Sequence, residues 1–246
     1  MKTKVFFVLC MLTAAFTFGQ NPMAVQKNEV FKSQEIKSAE PKFTWNKKAN
    51  RELPGSNYLL INSYLSENVG YPAKALEYSI QGTEVVRFTV TTSGEVTNFK
   101  IINSVCPEID EETIRALSNT NGMWIPGFKN GKPEEMEKEI AMVFQIYNNK
   151  KGTAGNMAEQ ATALFEMGSK ALIFKNNPEK ALKYFDRALT YLPYDSNILY
   201  LRGMVRTMLD DHEGAKADWA RMKSLEMKSE SINNITLITV NSGKLN

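Results

Sequence analysis

The chain is poor in the residues from which most catalytic and metal centres are built: among 246 residues there is one histidine and there are two cysteines. With no second imidazole and no cysteine pair beyond the N-terminal segment, a zinc site has no ligand set. Cys10 lies inside the first apolar run, where Leu9 and the short run before it argue against lipid attachment. Cys106 is then the only cysteine of the remaining chain, which excludes an intramolecular disulfide. It reads as a small semi-buried residue before Pro107, with pairing to another chain as the alternative.

A phosphate-cradling loop is missing too. Gly152 and Gly155 precede no P-loop lysine and follow no βαβ pattern. Ser93-Gly94 falls in a hairpin turn rather than a nucleophile elbow. His212 follows Asp211, a pair that could in principle activate a serine, but its place at the start of a repeating helix reads as surface capping. The expectation is no catalytic residue, no metal, no cofactor and no small-molecule substrate: a chain that is not an enzyme.

Excess charge of either sign is absent. Lys and Arg number 30 against 27 Asp and Glu, a formal charge of +3 to which Lys2 and Lys4 contribute. The broad basic footprint of a nucleic-acid binder is lacking, so no nucleic-acid partner is expected. Long apolar runs are lacking after residue 18. The one run, Val5 to Phe18, follows the basic head Lys2 and Lys4 and ends in Thr17 and Gly19, small residues at the positions a signal peptidase reads. It falls short of the roughly 20 residues that span a bilayer as a helix. Residues 1–19 are therefore read as a cleaved signal peptide with Gln20 as the first mature residue, and a retained anchor as the alternative. The chain is expected to be exported.

Residues 20–55 are rich in Lys, Glu, Asn, Gln and Ser and show no sustained period. They read as a flexible tether with a root-mean-square span of roughly 30–35 Å, to which Phe43 and Trp45 add local stickiness. Residues 56–148 form a first domain. Tyr58 to Leu65 carries a short helical stripe, and Pro72 opens another helix. Val85 to Thr91 and Val96 to Asn103 alternate about the Ser93-Gly94 turn, which predicts a β-hairpin. Pro107 and the acids Asp110, Glu111 and Glu112 open a helix, where carboxylates favour the positive dipole end. Ile140, Met142, Phe144 and Ile146 then alternate with Ala141, Val143 and Gln145, a third strand.

Residues 149–156 read as a linker and 157–227 as helical. Asn177-Pro178 supplies a cap and an N1 proline. A shift of 34 residues overlays Ala181 on Ala215, Phe185 on Trp219, Ser169 on Gly203 and Phe165 on Leu199. That period is similar to the tetratricopeptide repeat, here in two copies. Two repeats are fewer than such arrays usually need, so these helices should lean on the first domain, on the tail or on another subunit. In the tail, residues 228–246, Ile235 to Val240 is strand-like, either packed or frayed.

In this order the motifs of residues 58–147 resemble the C-terminal domain of the TonB family. They run Tyr71-Pro72-Ala73-Lys74-Ala75, Gln81-Gly82 before Val85 to Val90, and Ser93-Gly94-Glu95-Val96. They continue with Ile109 to Ile114, Trp124-Ile125-Pro126-Gly127, Gly131-Lys132-Pro133 and Phe144-Gln145-Ile146. The implied fold class is α+β: a three-stranded antiparallel sheet with helices on one face, followed by the all-α helix-hairpin pair. The resemblance also implies the periplasm or cell envelope of a Gram-negative bacterium. The implied partner is a protein, the periplasmic segment of an outer-membrane transporter or another envelope protein, added as a strand to the edge Ile140, Ala141, Met142, Val143, Phe144, Gln145 and Ile146. Glu137, Lys138 and Glu139 would blunt indiscriminate pairing there. The repeat groove offers a place for a second peptide.

Force-transmitting members keep a membrane helix and a proline-rich rod. Here the apolar run is short and the tether has only Pro22, Pro41 and Pro54. Two readings follow: a TonB-like component that engages outer-membrane transporters in a transport-related role, or an envelope scaffold with no energy transduction.

Overall fold

The computed structural model describes residues 38–45, 56–148, 152–153, 156–227 and 235–241. All of them lie in one compact unit, Ile36–Asn246. The signal segment with Gly19 and Gln20, and much of the tether, lie outside the described residues. Among those described, no helix is long and apolar enough to cross a membrane.

The sheet follows from the alternation. β2 (Gly82–Val90) and β3 (Val96–Asn103) form the antiparallel hairpin. Gly94 turns it at a φ of +82°, a value L side chains avoid, and a Cβ there would run into the Trp124 carbonyl oxygen. β7 (Met136–Asn148) lies antiparallel to β2, with Val86 opposite Ile140 and Gly82 opposite Phe144. The three expected antiparallel strands are thus present, but the sheet has five: β8 (Gly152–Thr153) pairs with the end of β7, and β9 (Ile235–Asn241) runs parallel to it.

One face of the sheet presents Val86, Phe88, Val90, Ile140, Met142 and Phe144, all buried. Ile61 and Leu65 of α1 (Ser56–Asn68) and Ile109, Ala116 and Leu117 of α3 (Pro107–Ser118) complete this core. Pro107 occupies the first turn of α3, where the missing N–H costs no hydrogen bond. Three acids of that helix are partnered: Glu108 with Lys74 of α2 (Ala73–Glu77), Asp110 with the Ser104 hydroxyl, and Glu112 with Arg115 and the Gly70 N–H.

The tether contributes a piece of its own. β1 (Lys42–Phe43) pairs with β4 (Trp124–Ile125), and Phe43 is buried edge-on to Tyr64 and against Trp124. Trp124 Nε1 donates to Thr120 Oγ1 at 2.9 Å, which fixes the ring that Phe43 packs on. A short hairpin, β5 (Gly127–Lys129) with β6 (Lys132–Glu134), precedes β7.

Four helices follow: α4 (Met157–Ile173), α5 (Pro178–Tyr191), α6 (Ser196–Met208) and α7 (His212–Met227). Asn156, Asn177 and Asp195 cap the first three through their side-chain oxygens, satisfying otherwise orphaned N–H groups. Gly168 faces Phe185 and Gly203 faces Trp219. The residue equivalent to Gly203 is therefore Gly168, not Ser169. The turn after α4 has one residue more than the turn after α6, so the first helices of the two pairs overlay at 35 residues and the second at 34.

These helices cover the second face of the sheet. Thr83, Val85 and Ala141 on that face are buried. Thr83 Oγ1 donates to the Tyr191 carbonyl oxygen at 3.0 Å, and Gly82 lies against Thr190. Within the sheet domain α1 and α3 keep to one face, and α5 with α7 and the α5–α6 turn lean on the other, so the later helices rest on the first domain. The contact combines the apolar side chains of Val85, Ala141 and Val143 with polar ones, Thr83 and Glu139, that find hydrogen-bond partners on the helices.

Candidate strand-binding edge

β7 is long enough to serve several neighbours. Its even positions, Ile140, Met142, Phe144 and Ile146, are buried toward the core. Ala141 is buried on the other face, while Val143 and Gln145 are half-buried. One edge of the strand is used by β2.

The other edge is not open. β9 pairs with Ala141 to Tyr147 in a continuous register, with Met142 beside Thr236, Phe144 beside Ile238 and Ile146 beside Val240. The expectation of a free edge is corrected here: the chain's own tail covers it. Ile235–Asn241 carries no charge, proline or glycine and is rich in β-branched residues, so it fits a half-buried pleated surface. Thr236 and Ile238 turn inward and are 2% and 5% exposed, whereas Leu237 on the opposite face is 54% exposed. Thr236 Oγ1 lies 2.8 Å from Asn62 Oδ1 and donates to it, tying β9 to α1.

The charged residues before the edge are not free guards either. Lys138 Nζ lies 2.8 Å from Glu40 Oε2 with only 9% of its side chain exposed, fastening the tether to β7. Glu137 faces Arg87 at 3.9 Å. Glu139 receives Arg87 Nη2 at 3.0 Å, Arg221 Nη2 at 3.0 Å and the Tyr194 hydroxyl at 3.2 Å. Burial pushes the Glu139 carboxyl up, but hydrogen bonds and charge from Arg221 and Arg87 outweigh it and hold the group below its ordinary value. Burial, together with the Glu139 charge, raises the Tyr194 phenol. This node joins the sheet to α7 and to the α5–α6 turn.

One buried acid had not been singled out. Glu84 of β2, opposite Met142, is fully buried and its Oε2 accepts from the Val105 N–H at 2.9 Å. Burial pushes its carboxyl up to about 9, against the pull of that N–H and helped by the Asp110 charge. The available signal was phase: Glu84 falls in step with Val86 and Phe88, on the core face.

The remaining candidates scatter. His212 is exposed at the start of α7 and lies 4.0 Å from Asp210, while Asp211 caps the helix by accepting from the Gly214 N–H. Cys106 is buried at the N-cap of α3. Among the described residues no cluster of His, Cys, Asp and Glu is arranged to hold a metal ion.

Comparison with known proteins bears on the sheet domain. The family model described as Gram-negative bacterial TonB protein C-terminal matches residues 67–146. Among solved structures, the solution structure of the Helicobacter pylori TonB C-terminal domain, residues 194–285, is similar at 24% identity and a TM-score of 0.28. The alignment covers 35% of this chain and 90% of that one. No curated protein matches. The chain thus carries a TonB C-terminal-like domain within a mixed α+β fold.

Proposed function

We propose that this chain is a non-enzymatic protein-binding component of the Gram-negative envelope, exported by a cleaved signal and working through strand addition on β7. The partner is the periplasmic segment of an outer-membrane transporter or another envelope protein, in a transport-related role. One observation supports this reading above the others: the β7 edge already holds an extended segment, β9, by backbone pairing along Ala141 to Tyr147. Such pairing gives affinity through N–H and C=O groups, while alternate side chains give selectivity.

The helices α4 to α7 we read as two tetratricopeptide-like repeats. The small residues Gly168 and Gly203 at the two crossings and the near-constant spacing support that reading. A second reading, a scaffold with no part in transport, is favoured by the exposed stripe Tyr200, Met204 and Met208 on α6, one turn apart along a face on which a second peptide could lie.

A photo-crosslinker at Gln145, expressed in the full chain in cells, tests the first reading. Crosslinks to a periplasmic segment of an outer-membrane transporter are expected. Crosslinks confined to the chain's own residues 235–241 would refute it. Crosslinks from Met204 but not from Gln145 would favour the scaffold.

A further inference from the structure

β9 has three features that bear on whether it stays. Among the described strands it alone pairs in parallel, an arrangement slightly less stable per residue than antiparallel pairing. It is gripped on one face only: Thr236 and Ile238 reach α1 and the core, while Leu237 and Thr239 face outward. It is also the last element of the described chain, reached from α7 through residues 228–234.

We propose that β9 is a self-ligand. It is an internal copy of the extended segment that the β7 edge accepts, and a partner segment takes its place in the same parallel sense. The inference rests on the reading of β7 as the partner edge. It also names what the edge reads. The residue beside Met142 must donate a hydrogen bond to Asn62 Oδ1, as Thr236 does, and the residue beside Phe144 must be aliphatic, as Ile238 is. The two outward positions between and beyond them tolerate any side chain. The partner is therefore an extended peptide with a hydroxyl residue and, two residues on, a branched aliphatic one.

A tethered occupant lowers the apparent affinity of an outside strand by the fraction of time the edge is open. Weakening β9 must then strengthen partner binding, the reverse of what loss of a structural strand would do. The probe is a fluorescent peptide with the sequence of residues 233–243, titrated by anisotropy onto the full chain. Ile238→Glu in the chain is expected to bind it at least tenfold more tightly than the wild type. A Thr236→Val peptide should bind Ile238→Glu several-fold more weakly than the original, and adding Asn62→Ala should erase that difference.

An Ile238→Glu chain that melts cooperatively yet binds no better than wild type overturns the inference. Amide exchange on the wild type gives an answer that does not depend on the variant folding. Amides of β7 that face β9 should exchange at least tenfold faster than those that face β2. Equal protection would make β9 a permanent strand and overturn the proposal. If the peptide binds as expected but Gln145 crosslinks to no envelope protein, the functional reading fails and the self-ligand stands.

Discussion

Glu139 Oε1 lies 3.0 Å from Arg221 Nη2, joining the first part of β7 to α7 across 82 residues of sequence. The same carboxylate holds Arg87 on the neighbouring strand and the Tyr194 hydroxyl in the α5–α6 turn. One side chain thus ties together the sheet domain and the helices.

Arg221→Ala should lower unfolding free energy by about 2–3 kcal/mol, the range for losing hydrogen bonds to a charged group. Urea melts of Arg221→Ala, Glu139→Ala and the double variant measure it, and the coupling should be non-additive. The Glu139 carboxyl is depressed in the fold, so its stabilisation is present above the ordinary glutamate value of about 4.3 and is lost as pH falls below that through the folded value. Arg221→Ala should therefore lessen the acid sensitivity of the chain.

Glu84 works in the opposite sense. Its folded value, pushed up to about 9, exceeds the unfolded value of about 4.3. Its contribution is complete below the unfolded value and declines as pH rises toward the folded one. Glu84→Gln keeps the shape and removes the charge. At pH 8 it should be more stable than wild type by about 1–2 kcal/mol, the ordinary scale for a poorly satisfied buried polar group. Its stability should be flatter between pH 5 and 9, values bracketed by those two pKa figures. Thermal melts across that range decide it, and an unchanged slope would count against a neutral Glu84.

Phe43 belongs by sequence to the tether but by packing to the core. Phe43→Ala should cost about 3–5 kcal/mol, as for other buried aromatic truncations. It should also speed proteolysis near residues 38–45, because β1 loses the side chain that anchors it to Tyr64 and Trp124. Cleavage kinetics with mass analysis provide the check.

Gly168 is where α4 and α5 cross. A Cβ there would sit 2.6 Å from the Phe185 ring, so Gly168→Ala should cost about 1–3 kcal/mol despite the better helix propensity of alanine. Pairing it with Phe185→Leu should recover part of the loss. Chemical melts of the single and double variants measure both effects.

Much of the local structure could be read directly. The alternation in Val85 to Thr91 and Ile140 to Ile146, the Ser93-Gly94 turn, and the Asn177-Pro178 cap all act over a few residues, and each sits where the pattern put it. The likeness of residues 58–147 to the TonB C-terminal domain was likewise legible, and the family match covers residues 67–146. Less legible was what an ion pair or a strand would meet. Glu137, Lys138 and Glu139 looked like solvent-facing guards, yet two of them are committed to Glu40, Arg87 and Arg221.

For the β7 edge, sequence alone determined which residues make the strand and which of them face the core, since period-two alternation is a property of consecutive residues. Only the tertiary structure decided what lies beside it. Backbone N–H and C=O groups are the same at every position, so nothing in Ile140 to Ile146 marks Ile235 to Asn241 as their neighbour. The choice was made at a distance, by the pocket where Ile238 joins the core and by the hydrogen bond from Thr236 to Asn62.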